Sequence, residues 1–198
     1  MNTKEPFKLI FITGNKHKFT EFNNFTSKQN LNVILEHKDI ETAEIQTDSL
    51  EKVAKYKIDS IKSKISGNFF IEDAGFFVDD LNGFPGVYSS YVFRSIGNSG
   101  ILKLLKNESN RNAKFQAVIA MNIEDDREIR IFKGEVHGKV ALKIRGREGF
   151  GFDPIFIPDE VPKKTFGELL PNSKNKISHR SRAGIELFKF IKRRYFIL

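Results

Sequence analysis

Between residues 7 and 71 short apolar runs alternate with amphipathic stretches, and this alternation restricts the fold more than any other feature of the chain. Phe7 to Ile12 is apolar with β-branched content and predicts a strand. Asn15 can cap a helix reaching about Lys28, with Phe19, Phe22 and Phe25 on one face. Asn32 to Glu36 predicts a second strand. Asp48 or Ser49 caps a second helix, whose apolar positions are Leu50, Val53, Ala54, Ile58, Ile61 and Ile65. Gly67-Asn68 stops that helix, and Phe69-Phe70-Ile71 reads as a buried strand ending at Glu72-Asp73. The order strand, helix, strand, helix, strand argues for an α/β domain.

The second half is less regular. Asn82-Gly83-Phe84-Pro85-Gly86 is a turn cluster, and Ser99 to Lys106 predicts a short helix. Phe115 to Ile123 and Glu128 to Val136 form a hairpin across an acidic turn at Asp125-Asp126, and Val140 to Ile144 can extend that sheet. A glycine-rich loop from Gly146 to Pro154 precedes a short strand, Ile155 to Ile157. The last helix runs from about His179 to Tyr195, with Leu187, Phe188 and Ile191 inward and Lys189, Lys192 and Arg193 outward. No repeat or flexible linker interrupts the chain, and the hairpin block belongs to a second lobe.

Composition removes several function classes. Twenty phenylalanines within 39% hydrophobic residues support a real core. No cysteine is present, which excludes a disulfide framework, a thiolate nucleophile and Cys-ligated zinc. No apolar run approaches the roughly 18 residues of a membrane span, so a cytoplasmic protein without a membrane partner is expected. The net charge of +8 suits a polyanionic partner, a nucleotide or a nucleic acid, and equally a solvated Lys-rich surface.

Three separated segments carry chemistry. Thr13-Gly14-Asn15 with Lys18 lies between the first strand and first helix, where backbone N–H groups and the helix dipole favour an anion. The same residues also suit an ordinary turn with an Asn cap. Glu72-Asp73 follows an apolar strand, at the sheet edge where α/β folds bind ligands. Such carboxylates can hold Mg²⁺ or deprotonate a water, and can equally pair with lysines. Glu44 is another candidate ligand, with nothing in its own surroundings to separate it from a surface Glu. In Phe150-Gly151-Phe152-Asp153-Pro154 the rings can stack on a base or tuck into the core, and Asp153 can accept hydrogen bonds from a base edge. Ser178-His179-Arg180 opens the last helix, with Ser178 as cap and Arg180 able to donate to a purine carbonyl. Lys174, on the preceding loop, can reach a phosphate.

In this order, the segments resemble the inosine triphosphate pyrophosphatase family. The matching residues are Thr13-Gly14-Asn15 with Lys18 and Glu21, Ala43-Glu44-Ile45-Gln46, Glu72-Asp73-Ala74-Gly75-Phe76 and the run Leu81 to Ser89. They continue through Gly149 to Phe156, Thr165 to Leu169, and Lys174 with Ile177-Ser178-His179-Arg180. The resemblance spans nearly the whole chain. It implies one domain over residues 1–198, with two lobes around a long mixed sheet flanked by helices and an active-site cleft between the lobes. It implies Mg²⁺-dependent hydrolysis of ITP, dITP and XTP to the monophosphate and pyrophosphate, clearing deaminated purines from the nucleotide pool, by a homodimer. By that analogy Glu44 and Asp73 hold the metal, Asp73 is the general base and Glu72 supports the cluster. Thr13, Gly14, Asn15, Lys18, Ala74 and Lys174 grip the triphosphate. Phe150, Gly151, Phe152, Asp153, His179 and Arg180 surround the base.

The chain departs from this pattern at three positions. Ala74 stands where many relatives carry Ser or Thr, and Ser90 where some have Lys. Gly167 replaces a more usual Ala, which is expected to loosen a helix start by up to roughly 1 kcal/mol. A nucleic-acid-binding module is the rival reading; the carboxylates Glu44, Glu72 and Asp73 oppose it, because they repel phosphate unless a metal intervenes.

Overall fold

The computed structural model describes residues 5–124, 126 and 128–196, so Asp125 of the expected acidic turn lies outside the described residues. The first half follows the expected alternation: β1 (Phe7–Ile12), α1 (Lys16–Thr26), β2 (Val33–Lys38), α2 (Leu50–Ile61) and β3 (Phe69–Val78). Strands β2 and β3 both pair parallel with β1, in registers such as Phe7 with Val33 and Ile10 with Phe69. Further along come β4 (Pro85–Gly86), α3 (Ser89–Ser95), α4 (Gly97–Leu104), β5 (Asn112–Asn122), β6 (Arg130–Val140) and β7 (Phe156–Pro158). Two helices, α5 (Pro171–Ile177) and α6 (His179–Ile191), close the order, and a wider turn at Lys192–Phe196 follows α6. The seven strands form one mixed sheet in the order β2-β1-β3-β5-β6-β7, with β4 antiparallel to β3.

The chain divides into two compact units: Met1–Asp73, Val118–Lys133 and Ala183–Leu198 in the first, Ala74–Ala117 and Gly134–Arg182 in the second. In the first unit Phe11 stacks on Phe70 with ring centroids 4.4 Å apart. Phe22 of α1 packs on both rings, and Phe188 of α6 meets Phe25 edge-on. All six predicted apolar positions of the second helix region are buried. The second unit is built around Phe76, Phe115, Phe152, Phe156 and Phe166. Burial holds the Arg111 guanidinium below its ordinary pKa, and the backbone carbonyls of Leu105, Val140 and Ala141 accept its hydrogen bonds at 2.9, 2.8 and 2.8 Å.

Four sequence expectations change. Strand β3 does not end at Asp73 but runs on to Val78, because Phe76 and Val78 continue the buried apolar positions. Helix α3 escaped detection because Ser-Ser-Tyr-Val-Phe-Arg-Ser has no extended apolar period, and α5 because its short polar sequence is announced only by Pro171 at its start. Lys174 therefore sits on a helix, not a loop. Residues 141–144 do not extend the sheet; after Val140 the chain turns away, with the Ala141 N–H donating to Ile155.

Gly167 is not a loosened helix start. It lies buried in a turn closed by a reciprocal cap between Thr165 and Glu168, and a Cβ there would stand 2.8 Å from both the Arg145 carbonyl oxygen and Pro154 Cα. Backbone atoms have little room to yield. Gly167→Ala is therefore expected to destabilise the fold by about 1–3 kcal/mol, the usual cost of overpacking, despite alanine's better helix propensity. The shift of the urea unfolding midpoint measures it, and a stabilised variant would refute the packing argument.

Candidate active site

The loop between β1 and α1 is tightly self-capped. Asn15 has extended backbone, and its Oδ1 accepts from the N–H groups of His17 at 3.0 Å and Lys18 at 3.2 Å. Thr13 Oγ1 accepts from the Asn15 N–H at 3.1 Å. These caps leave the amides of Gly14 and Lys16 as the ones that neither side chain engages. Lys18 does not reach outward alone: its ammonium lies 2.8 Å from Glu72 Oε2 and donates to the Glu72 carbonyl oxygen at 3.0 Å.

Neighbouring side chains on a strand point to opposite faces. With β3 continuing through both residues, Glu72 turns toward Lys18 of α1 and Asp73 toward Lys57 of α2. They do not face one ion together. Asp73 instead meets Glu44, which the segment before α2 brings to the same lysine. The Lys57 ammonium stands 2.7 Å from Asp73 Oδ1 and 2.6 Å from Glu44 Oε1. Asp73 is largely buried, whereas the Glu44 side chain is 67% exposed. Asp73 Oδ2 is buried with no hydrogen-bond partner among the described residues. Among those residues no three His, Cys, Asp or Glu side chains gather into a cluster able to hold a metal unaided.

Lys57 is the residue that the sequence reading passed over. It lies one turn from Val53 and Ala54 and next to Ile58, so it interrupts the buried face of α2 with a cation. A lysine inside an apolar stripe was the available signal. Burial opposes its charge, but the attraction of Asp73, its hydrogen bond and the contributions of Glu44 outweigh this, and the ammonium pKa is raised above its ordinary 10.5.

The second unit gathers the predicted base-recognition residues around Asp153. Positive φ at Gly149 and Gly151 folds the loop back, so that Asp153 Oδ2 accepts from the Phe150 N–H at 2.8 Å and from the Lys174 ammonium at 2.7 Å. Asp153 and Lys174 are both buried. The two rings of the loop diverge. Phe152 enters the core against Phe76 and Phe93. Phe150 stays half-buried, with Lys174 and Arg180 at 5.1 and 5.4 Å from its centroid. His179 stacks on Phe115 with centroids 4.8 Å apart and planes 10° from parallel. Ser178 caps α6 by accepting from the Ser181 N–H. Asn98 of α4 was also missed; its Nδ2 donates to the Gly151 carbonyl at 3.2 Å and braces the loop. Ala74, half-buried, follows Asp73 in β3.

The chain has relatives. The family model described as the Ham1 family matches residues 9–190. The chain belongs to that family. A dITP/XTP pyrophosphatase of Thermococcus kodakarensis is 45% identical over 93% of this chain and 97% of its own length, and one of Methanopyrus kandleri is 44% identical over 89% and 92%. Among solved structures, the Staphylococcus aureus Ham1 protein superposes with a TM-score of 0.81 at 28% identity, covering 94% of this chain and 98% of its own. A HAM1 protein from Coxiella burnetii gives 0.80 at 27% identity, with the same coverage. The mixed α/β sheet architecture is thus that of Ham1 proteins.

The Lys57 geometry makes a pH-dependent prediction. A raised folded-state pKa means that the ion pair's stabilisation is fully present below the unfolded value near 10.5 and is lost as pH climbs through the higher folded value. Lys57→Met leaves Asp73 without its cation, at an expected cost of about 1–3 kcal/mol near neutrality, reduced from that of a fully buried pair because Glu44 is exposed. In denaturant titrations the gap between wild type and Lys57→Met should narrow above pH 10.5. A constant gap would mean that packing of the lysine stem, not its charge, is what matters.

Proposed function

We propose that this protein hydrolyses nucleoside triphosphates bearing deaminated purines, dITP and XTP with ITP among them, releasing pyrophosphate and the monophosphate. The names of the relatives support the substrate class. The observation that carries the reaction is Asp73: one carboxylate oxygen is held by Lys57, and the other is buried with no hydrogen-bond partner among the described residues. A buried, unsatisfied carboxylate oxygen costs free energy unless a ligand or ion completes it.

The carboxylates fit a hard divalent cation, for which Mg²⁺ is the expected choice. Asp73 Oδ2 has no hydrogen-bond partner among the described residues, and the exposed Glu44 side chain would turn its oxygens toward the same point. With only two protein carboxylates on offer, the ion would be completed by substrate phosphates, the usual habit of Mg²⁺. Bound there, it would neutralise charge on the triphosphate and on the departing pyrophosphate. The Asp73 carboxylate takes the proton of the water whose oxygen bonds the α-phosphorus, as the bond from that phosphorus to the bridging oxygen of the departing pyrophosphate breaks. Lys57 holds the Asp73 carboxylate in place through its Oδ1. Lys18 and the loop amides of Gly14 and Lys16 supply positive charge for the phosphates, and Glu72 keeps Lys18 extended. In the second unit the Phe150 ring and the cations Lys174 and Arg180 beside it offer a stacking surface and donors for a purine carbonyl. A donor-rich site rejects the amino group of adenine, because its buried N–H groups would be left unpaired.

A homodimer and a cytoplasmic location go with this reading. Exposed Tyr91, Ile96 and Leu104 on and beside α3 and α4 provide apolar surface for a second copy. Among the described residues no helix is long and apolar enough to cross a membrane.

Pyrophosphate release from XTP, dITP, ITP, GTP and ATP, each with and without Mg²⁺, tests the reading. Release is expected from the first three, and only with the metal. Asp73→Asn should lower kcat by at least about a hundredfold, the lower range of a general base, while nucleotide binding changes little. Arg180→Ala should narrow the ITP-to-ATP ratio of kcat/KM. Near-normal turnover by Asp73→Asn would remove Asp73 from the chemistry, and an unchanged ratio would remove Arg180 from base selection.

A further inference from the structure

The end of β2 brackets the Thr13–Asn15 loop through three consecutive residues. The Lys38 carbonyl oxygen accepts from the Thr13 N–H at 3.0 Å, which continues the parallel ladder by one rung. Asp39 lies against Gly14, where a Cβ would stand 3.1 Å from its Oδ1. His37 Nε2 lies 2.8 Å from the Thr13 carbonyl oxygen. A carbonyl only accepts, so Nε2 carries the hydrogen, and this is true of the neutral imidazole in that tautomer and of imidazolium alike. The imidazole is aimed by Phe19 of α1, on which it stacks with centroids 4.5 Å apart and planes 24° from parallel.

The contact matters because of the peptide it holds. The Thr13 carbonyl and the Gly14 N–H belong to one planar peptide group, so a bond that fixes the carbonyl also fixes the direction of that N–H. Gly14 N–H is one of the two loop amides that the Thr13 and Asn15 side chains leave unengaged. We propose that His37 is a positioning residue for triphosphate binding: it locks the Thr13–Gly14 peptide so that the Gly14 N–H faces the phosphates. It touches neither the reacting atoms nor the carboxylates around Lys57, and so acts on binding rather than on the chemical step. This inference rests on the reading of the loop as the triphosphate grip.

Three substitutions separate the bond from the stack. His37→Gln keeps an N–H donor of similar reach; His37→Phe keeps a ring on Phe19 but no donor; His37→Ala removes both. With XTP and Mg²⁺, Phe and Ala should each raise KM by about three- to tenfold, the worth of one ordered hydrogen bond, with kcat within about twofold and the Gln variant near wild type. Wild-type KM in the Phe variant would overturn the proposal and leave the imidazole as packing alone. A fall in kcat in place of the KM change would overturn it too. Unfolding midpoints identify any variant that is merely destabilised. If the wild-type protein releases no pyrophosphate, the functional reading fails separately. The loop is then tested with inorganic tripolyphosphate by calorimetry, where equal affinity of wild type and His37→Phe, or no binding by either, overturns the positioning role.

Discussion

Two adjacent acids in the middle of a buried strand are the constraint around which the first unit is arranged. A carboxylate withdrawn from water is tolerated only with a countercharge. Strand alternation sends Glu72 and Asp73 to opposite faces, so each needs its own cation, and each adjacent helix supplies one: Lys18 from α1 and Lys57 from α2. The two helices therefore carry charge to specific points of β3 as well as apolar cover. This agrees with the strand order. Crossing from β1 out to β2 and back past β1 to β3 places α1 and α2 on opposite faces when both connections are right-handed. The parallel ladder and the charge balance thus require the same arrangement.

The second unit solves a similar problem with different parts. Asp153 is buried and turned back on its own loop, where a backbone N–H and the Lys174 ammonium satisfy it. Lys174 is consequently committed to an acid beneath Phe150, and the rings of Phe150 and Phe166 lie beside its ammonium, faces that accept a cation without neutralising it. Arg180 shares the same ring. Two buried cations thus flank one half-buried ring, the group that the proposed reading assigns to a carbonyl-bearing base. Rigidity comes from the loop's supports: Phe93 against Phe152 and Asn98 on Gly151 fix it from the α3 and α4 side.

The first half of the fold was legible because its signals were periodic and local. Ser49 and Asn15 cap where hydroxyl and amide caps were expected, and the apolar positions of α2 are the buried ones. What stayed hidden lacked either property. Helices α3 and α5 are a turn or two long and mostly polar, so they owe their shape to tertiary contacts. The end of β3 was misplaced because a charged pair in an apolar run looks like a stop, and only the lysines 54 residues before Glu72 and 16 before Asp73 show why the strand continues. The site followed the same division. Residues in contiguous motifs could be put forward as candidates from the sequence. Lys57, Asn98 and His37 could not, because each acts on a segment far away in the chain and none stands inside a motif.

Lys57 also bears on how the carboxylates can serve a metal without a preformed metal cage. Three acids pointed at one spot would repel each other in the resting protein, and the fold would have to hold them there. Here one acid is largely buried, one is exposed, and the third faces the other side of the sheet. A lysine holds the first two close together in the meantime. The ammonium offsets their repulsion without engaging Asp73 Oδ2, and in the proposed reading Glu44, a side chain already two-thirds in solvent, would turn to hold a cation there. The same lysine offsets part of the negative charge of the two carboxylates. An arginine would not be equivalent, because its planar fork would reach past one oxygen of Asp73 toward the second, the atom that the proposed chemistry requires to be open.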